Sequence, residues 1–440
     1  MQSNFFIIGL IFIITTSPIT NQAVGGEKVN NIILLIGDGM GFEQLRLASY
    51  VEYGIENGLF MQSAEFISSS ISTASSNDEV TDSAASATAF ASGIKTKNKY
   101  LGMDPEGNSV QTILEYAETL GKDSGLITNM PFYHATPAAF ASHTNSRTNY
   151  ADIREGIFAA NIEIIMGGGS GFLPSDTALV DLGYTKALTK TELLSVTSTK
   201  IAGIFSSTEF SYEADIDLEN EVRLIDMVSV TLDLMSQSTN GYFTMIEAGL
   251  IDFTGHDRDV PKNALETIHF DESIKLVHEW VETNSNTLVI IVADHETGHL
   301  RIDDVDDLDS QLPSDASTEE AKRQIRLTRA NQINATMPTS SHSGVNVPFI
   351  AFGAGVDKYI DTSCEYNNAH IFGIMKNALD GTPPTSCPEE IPGYPNYPTV
   401  DHSSESSTSS SSNDSPFPIY PFMIALIPVL KLVKNRKYLI

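Results

Sequence analysis

Apolar residues in this chain come in continuous runs rather than alternating with polar ones: NIILLIG (31–37), SGLITN (124–129), IEIIMG (162–167), KIAGIFS (200–206), YFTMIEAG (242–249), NTLVIIVAD (286–294) and VNVPFIAFG (345–353). A strand that is apolar on both faces is one covered on both faces, as in the interior of a parallel sheet. Between these runs, 109–121, 219–238 and 264–283 carry helical periodicity. Strands alternating with helices predict an α/β fold, a three-layer sandwich with a mainly parallel central sheet. Sheets of that kind bind ligands at the carboxyl ends of their strands. The polar residues that directly follow the apolar runs are therefore the ones to inspect.

Both ends of the chain break the pattern. The apolar run Phe5 to Ile14, followed by small and polar residues, reads as a secretory signal peptide over 1–23. No Lys or Arg precedes it and no A-x-A site follows it; a buried first strand or an uncleaved anchor is the alternative. From 27 to 381 the pattern is that of the α/β unit, with 301–340 read as a surface insertion because RIDDVDDLDSQLPSD and a charged helical stretch interrupt the alternation. Its aspartates are the composition of a calcium loop, or more simply of a solvated acidic one. Residues 382–418 are rich in Pro and Ser and read as a flexible stalk. The segment 419–433 is short for a membrane span and contains Pro428 and Lys431, yet it lies between that stalk and the basic tail 434–440. That setting predicts a C-terminal membrane anchor with a cytoplasmic tail and the α/β unit at the cell surface. An anchor signal removed on processing, or a terminal amphipathic helix docked on the domain, are the alternatives.

Composition narrows the field. At 440 residues and 41% apolar content the chain can bury a large core. A formal net charge of −30 argues against nucleic acid as a partner, since phosphate-backbone binding needs a basic surface. For a phosphate-ester substrate the same charge requires local cations. The two cysteines, Cys364 and Cys387, are free to pair into one disulfide in an exported protein, and two unpaired thiols fit the sequence nearly as well. The sequons at Asn334 and Asn413 are compatible with glycosylation.

Candidate chemistry sits where the sheet argument places it. Asp38 follows the first strand between glycines that permit close approach, as a cation ligand or as a helix cap. Glu247 lies near the end of YFTMIEAG, and Asp252 and His256 follow it four residues apart, able to present oxygen and nitrogen donors to one metal. Asp294 and His295 end a strand where uncompensated burial is costly and a zinc ion is a natural partner. His342 precedes the last strand. Together these side chains suffice for two zinc-like sites and a harder, oxygen-rich third. Earlier in the chain, VTDSAASATAFASG sets Asp82 and Ser83 at the head of a helix of small residues, where free N–H groups favour an anion.

The ordered motifs GDGMG (37–41), TDSAASATAFASG (81–93), HATPAAFASHTNSR (134–147), EAGLIDFTGH (247–256), ADHETGH (293–299) and SHSG (341–344) resemble those of the alkaline phosphatase family. The resemblance implies a phosphate monoesterase with two zinc ions and one magnesium ion per chain, and a homodimer. It implies Ser83 as nucleophile and metal-contacting group. Asp252, His256 and His342 would hold one zinc, and Asp38, Asp294 and His295 the other. Magnesium would lie on Asp38, Thr136 and Glu247 beside His134, and Arg147 would hold the substrate phosphate. Asp82 then orients Arg147 rather than acting as a base. Two positions depart from the best-known bacterial pattern: His134 stands where those enzymes carry aspartate, and Phe253 where they carry lysine. The first implies weaker magnesium retention. Rival readings are a phosphodiesterase, sulfatase or phosphomutase of the same superfamily, and an inactive surface-anchored binding protein.

Overall fold

The computed structural model describes residues 28–305 and 308–389. The signal-peptide, anchor and basic-tail readings, Asn413 and most of the stalk lie outside the described residues. Ten strands form one sheet: β1 (Asn31–Gly37), β2 (Ile67–Ser72), β3 (Asp123–Pro131), β4 (Ile164–Gly168), β5 (Thr185–Ala187), β6 (Ile201–Ile204), β7 (Tyr242–Ala248), β8 (Thr287–Val292), β9 (Val347–Gly353) and β10 (Tyr366–Asn367). Their spatial order is β10-β2-β9-β8-β1-β7-β3-β4-β6-β5. Every pairing is parallel except those of β9, which runs antiparallel to both β8 and β2. The fold is the mainly parallel α/β sandwich that the continuous apolar runs predict.

The central strands are the most apolar because both of their faces are covered. In β1, Ile32 to Ile36 are fully buried, and β8 is buried along its whole length. By contrast β2, ISSSIS, has no such run; its burial is partial, and its period gives no strong strand signal. The helices keep to local rules. Helix 109–121 of the sequence reading shortens to Ile113–Thr119, because Thr112 and Glu115 form a reciprocal capping box that fixes the start. The 219–238 helix begins only at Leu224, since Asp217 ties residues 217–220 into a turn. Helix Val260–Val281 starts earlier than its periodicity indicates, capped by Asp259 with a proline in the first turn.

The 301–340 segment is more than a solvated loop. Its helix Glu319–Gln332 buries Arg326 and Arg329 against helices Phe42–Tyr53 and Val260–Val281. Arg329 donates to the carbonyls of Val51 and Tyr50, at 2.6 and 2.8 Å. Asn334 is exposed on a short strand that pairs Asn334–Thr336 with Arg301–Asp304. Among the described residues, no metal-ligand cluster forms from its aspartates. Cys364 and Cys387 are joined by a disulfide, which decides between the two cysteine readings.

Candidate active site

The carboxyl ends of β1, β3, β7 and β8 deliver Asp38, His134, Glu247 and Asp294 to one edge of the sheet. His342 reaches the same edge for a topological reason: β9 runs antiparallel, so the residues before it lie where the residues after its neighbours lie. Asp252 and His256 come from helix Leu250–Asp257, one turn apart, with His256 Nε2 3.2 Å from Asp252 Oδ2. Close approach is built in with glycine. At Gly39, whose φ is +76°, a Cβ would lie 2.7 Å from the Asp252 Cα.

The imidazoles are fixed by their outer nitrogens. His256 Nδ1 faces the Ser340 carbonyl at 2.7 Å and His342 Nδ1 the Thr81 carbonyl at 3.0 Å, so each carries its proton on Nδ1. Both Nε2 atoms then face the same space, 3.2 Å from each other, with His342 Nε2 3.6 Å from Asp252 Oδ1. Two imidazole nitrogens and a carboxylate converge on one point that calls for positive charge, which a proton on His256 or a metal ion can supply. On the other side of Asp252, His295 Nε2 lies 3.3 Å from Asp294 Oδ2, 3.5 Å from Asp38 Oδ1 and 3.3 Å from Ser83 Oγ.

Unpartnered atoms mark the same places. Asp38 Oδ1, Asp294 Oδ2, Glu247 Oε1, Thr136 Oγ1 and His134 Nδ1 are buried and make no hydrogen bond within the protein. Such orphans are expensive, and their gathering at one edge is a cradle for cations. The groups Asp38–Asp294–His295, Asp38–His134–Glu247 and Asp252–His295–His342 each bring their ligand atoms within 4.8 Å of one another. Asp38 belongs to two of them and links the sites.

The electrostatics agree. Burial, then the charges of Asp294, Asp252 and Glu247, push Asp38 well above the carboxylate range. Burial and Asp252 raise Asp294 to about 8, and burial raises Glu247 against the hydrogen bond from Thr128. For Asp252 burial is outweighed by the His256 hydrogen bond and the charges of the imidazoles, which hold it well below that range. The hydrogen bond to Asp252 lifts His256 to about 9, whereas burial and Arg147 depress His134 to about 3. Four carboxylates crowded in a dry space need positive charge, and hard oxygens beside imidazoles are the donor set for zinc and magnesium. The residues therefore fit that set of ions.

Ser83 opens helix Ser83–Ser92, and Asp82 caps it by accepting from the Ala85 N–H at 3.0 Å. Asp82 also accepts from the Lys99 N–H at 3.0 and 3.1 Å and from Arg147 Nη1 at 3.1 Å. With its lone pairs so engaged, Asp82 holds Arg147 in place; Ser83 Oγ has His295 as its neighbour instead. Arg147 Nη2 lies 3.5 Å from His134 Nε2.

Sequence reasoning missed the residues that brace the ligands. Thr297 Oγ1 donates to Asp252 Oδ1 at 2.5 Å, and Thr128 Oγ1 to Glu247 Oε2 at 2.5 Å from the adjacent register position. Gln44 and Ser343 both donate to buried Glu296. The signal was present for Glu296 and Thr297, which stand in the quoted ADHETGH motif; for Thr128 and Gln44 only the fold brings them in. His299, from the same motif, is exposed, and its Nε2 lies 3.3 Å from the His342 carbonyl instead of among the ligand atoms.

Fold and site together define an α/β protein whose chemistry is organised around metal-ligand side chains at one sheet edge. The chain belongs to the alkaline phosphatase family, whose profile it matches over residues 29–303. It is 31% identical over 288 residues to alkaline phosphatase 3 of Bacillus subtilis, covering 62% of this chain and 62% of that enzyme. The matched region thus spans 62% of that relative's length. Alkaline phosphatase from the Antarctic bacterium TAB5 superposes with a TM-score of 0.68 at 25% identity, covering 81% of this chain and 100% of that one. The Thermus thermophilus enzyme superposes at 0.70 and 23% identity, over 83% and 95%, and shares the fold. Two variants of the TAB5 enzyme, histidine to glutamate and histidine to aspartate, carry bound magnesium.

Proposed function

We propose that this chain is a metal-dependent phosphate monoester hydrolase that passes the phosphoryl group through Ser83 and releases inorganic phosphate. The observation that carries the reading is the placement of Ser83 Oγ, at a helix N-terminus and 3.3 Å from His295, beside five buried, unpartnered polar atoms. Asp252, His256 and His342 would hold one zinc, Asp38, Asp294 and His295 a second close to Ser83, and Asp38, Thr136 and Glu247, with His134 alongside, a magnesium ion. Bound there, such ions would supply Lewis acidity and charge neutralisation for substitution at phosphorus.

The chain's own groups do the rest. Arg147, oriented by Asp82, offers two parallel N–H donors to the phosphoryl oxygens that point away from the carboxylates. The free N–H groups of the helix N-terminus stabilise the negative charge of a phosphorylated Ser83. In the first displacement the Ser83 Oγ–P bond forms as the bond to the leaving oxygen breaks, and the alcohol departs with a proton. In the second, water forms the new P–O bond, Oγ–P breaks, and Ser83 recovers its hydroxyl. Arg147 favours a monoester over a diester, since a diester has fewer free oxygens to grip. The paired Cys364 and Cys387 support export, and the remaining parts of the proposal are an anchored cell-surface location and a homodimer.

The deciding experiment is phosphate release from p-nitrophenyl phosphate by the parent and by Ser83→Ala, with and without chelator, beside an aryl diester and an aryl sulfate. Ser83-dependent, chelator-sensitive turnover of the monoester is expected. Chelator-insensitive activity, or preference for the diester or sulfate, overturns the reading.

A further inference from the structure

Lysines 95, 97 and 99 crowd five residues of a protein with only 26 Lys and Arg in 440. Lys95 is consumed by the fold: it is buried and donates to the Ala74 carbonyl at 2.5 Å. Lys97 and Lys99 are exposed, and neither has an ion-pair partner among the described residues.

The backbone of Lys99 is wired into the phosphate end of the site. Its N–H donates to both oxygens of Asp82, and its carbonyl accepts from the Arg147 N–H at 2.9 Å. The Asp82 N–H in turn donates to Asn98 Oδ1 at 3.2 Å, and Asn98 is pinned by Asn77 and Val80. Lys99 adopts a left-handed conformation with φ of 77°. Glycine would do this without strain, and asparagine, which occupies two of the other four such non-glycine positions, tolerates it; a long unbranched side chain gains nothing locally. Strain at a residue that buttresses a site points to a use for its side chain.

Lys97 Nζ lies 5.7 Å from the centre of the Tyr100 ring. We propose that the Lys99 ammonium is a specificity group that binds a second anionic group on the substrate, so that the preferred substrates are phosphate monoesters carrying another phosphate close to the one removed. This rests on the phosphatase reading above. The charges support it. A polyanion approaching a surface of net charge −30 is repelled, and an exposed lysine whose backbone is hydrogen-bonded to both Asp82 and Arg147 carries the positive charge that would reverse that repulsion there.

Lys99→Gly is the informative variant, because it removes the ammonium and relieves the backbone, so its thermal melting should not fall. ADP, whose terminal phosphate has a second phosphate beside it, is compared with p-nitrophenyl phosphate. A loss of about fivefold to tenfold in kcat/KM for ADP, carried by KM and shrinking as salt is raised, is expected, with p-nitrophenyl phosphate unchanged and Lys99→Arg near the parent. In a Ser83→Ala background, calorimetry should show ADP binding weakened by a similar factor. Equal effects on both substrates, or none, overturn the role of Lys99 and leave the phosphatase reading intact. A parent that turns over neither substrate overturns both.

Discussion

Two groups of charged side chains among the described residues are treated in opposite ways. Where helix Glu319–Gln332 meets the body of the domain, Arg326 donates to Glu52 at 2.6 and 3.0 Å and to Glu272 at 2.7 Å. Arg223 grips Glu213 at 2.6 Å, with His269 between Glu213 and Glu272 at 3.3 Å from each. Glu52, Glu272 and Glu213 each have a cation supplied by the chain. At the carboxyl edge of the sheet Asp38, Asp294 and Glu247 each keep an oxygen with no hydrogen-bond donor, His295 beside the first two is held neutral by burial, and Arg147 is engaged by Asp82. The same residue types make structure when the counter-charge is covalently present and a reactive site when it must be borrowed. Breaking each group should therefore damage different properties.

The largest effects fall on activity at the sheet edge. Stripping divalent cations should abolish phosphate release and lower the melting temperature, and zinc with magnesium should restore both, because ligands that bind only the folded state stabilise it. Ser83→Ala should lose more than about a thousandfold in kcat while melting as the parent does. On the other side of the comparison, Arg326→Met should leave Glu52 without its cation and take one of three cations from Glu272, and cost about 3–5 kcal/mol in urea unfolding, with kcat/KM of the folded enzyme kept. Equal stability and lost activity would reverse the assignment of the two regions. Asp82→Ala should free Arg147 and remove a helix cap, raising KM about tenfold and costing about 1 kcal/mol of stability. Complete loss of kcat with metals retained would return Asp82 to the role of a base.

The smallest effect is one of pH. Burial works against ionisation of Glu272, but His269, Arg326 and Arg223 overcome it and hold its pKa well below the usual range. A depressed folded-state pKa means a contribution that is whole above the unfolded value, about 4.3, and fades as pH falls below it. The parent should lose stability on acidification through that range, and Arg326→Met should lose less, read from urea midpoints at pH 6 and pH 3.5. His134→Asp should tighten magnesium retention, which titration of chelated enzyme with magnesium would show; an unchanged magnesium dependence would break that expectation.

Much of this was legible before any fold was known. NIILLIG and NTLVIIVA announce central strands because only a doubly covered strand can be apolar at every position. Asp38, Glu247 and Asp294 were found because a polar residue at the end of such a run stands where ligand sites lie. The strand ISSSIS was not legible: its serines sit in a half-covered position near the sheet's margin, where no apolar period is needed. Nor were the bracing residues, since Thr128 meets Glu247 across 119 positions and Gln44 meets Glu296 across 252. Two buried arginines inside the charged stretch TEEAKRQIRLTRANQIN were hidden for the same reason, their partners lying on other helices.

Hydrophobic period and motif order, which are local, determined the α/β class, the central strands and which residues carry chemistry. Tertiary structure alone decided the antiparallel course of β9 that brings His342 round to Asp252, the pairing of Cys364 with Cys387, and the division of buried carboxylates into those answered by arginine and those left open. Those outcomes depend on contacts between distant segments, and a one-dimensional pattern holds no record of which distant charge a buried group will meet.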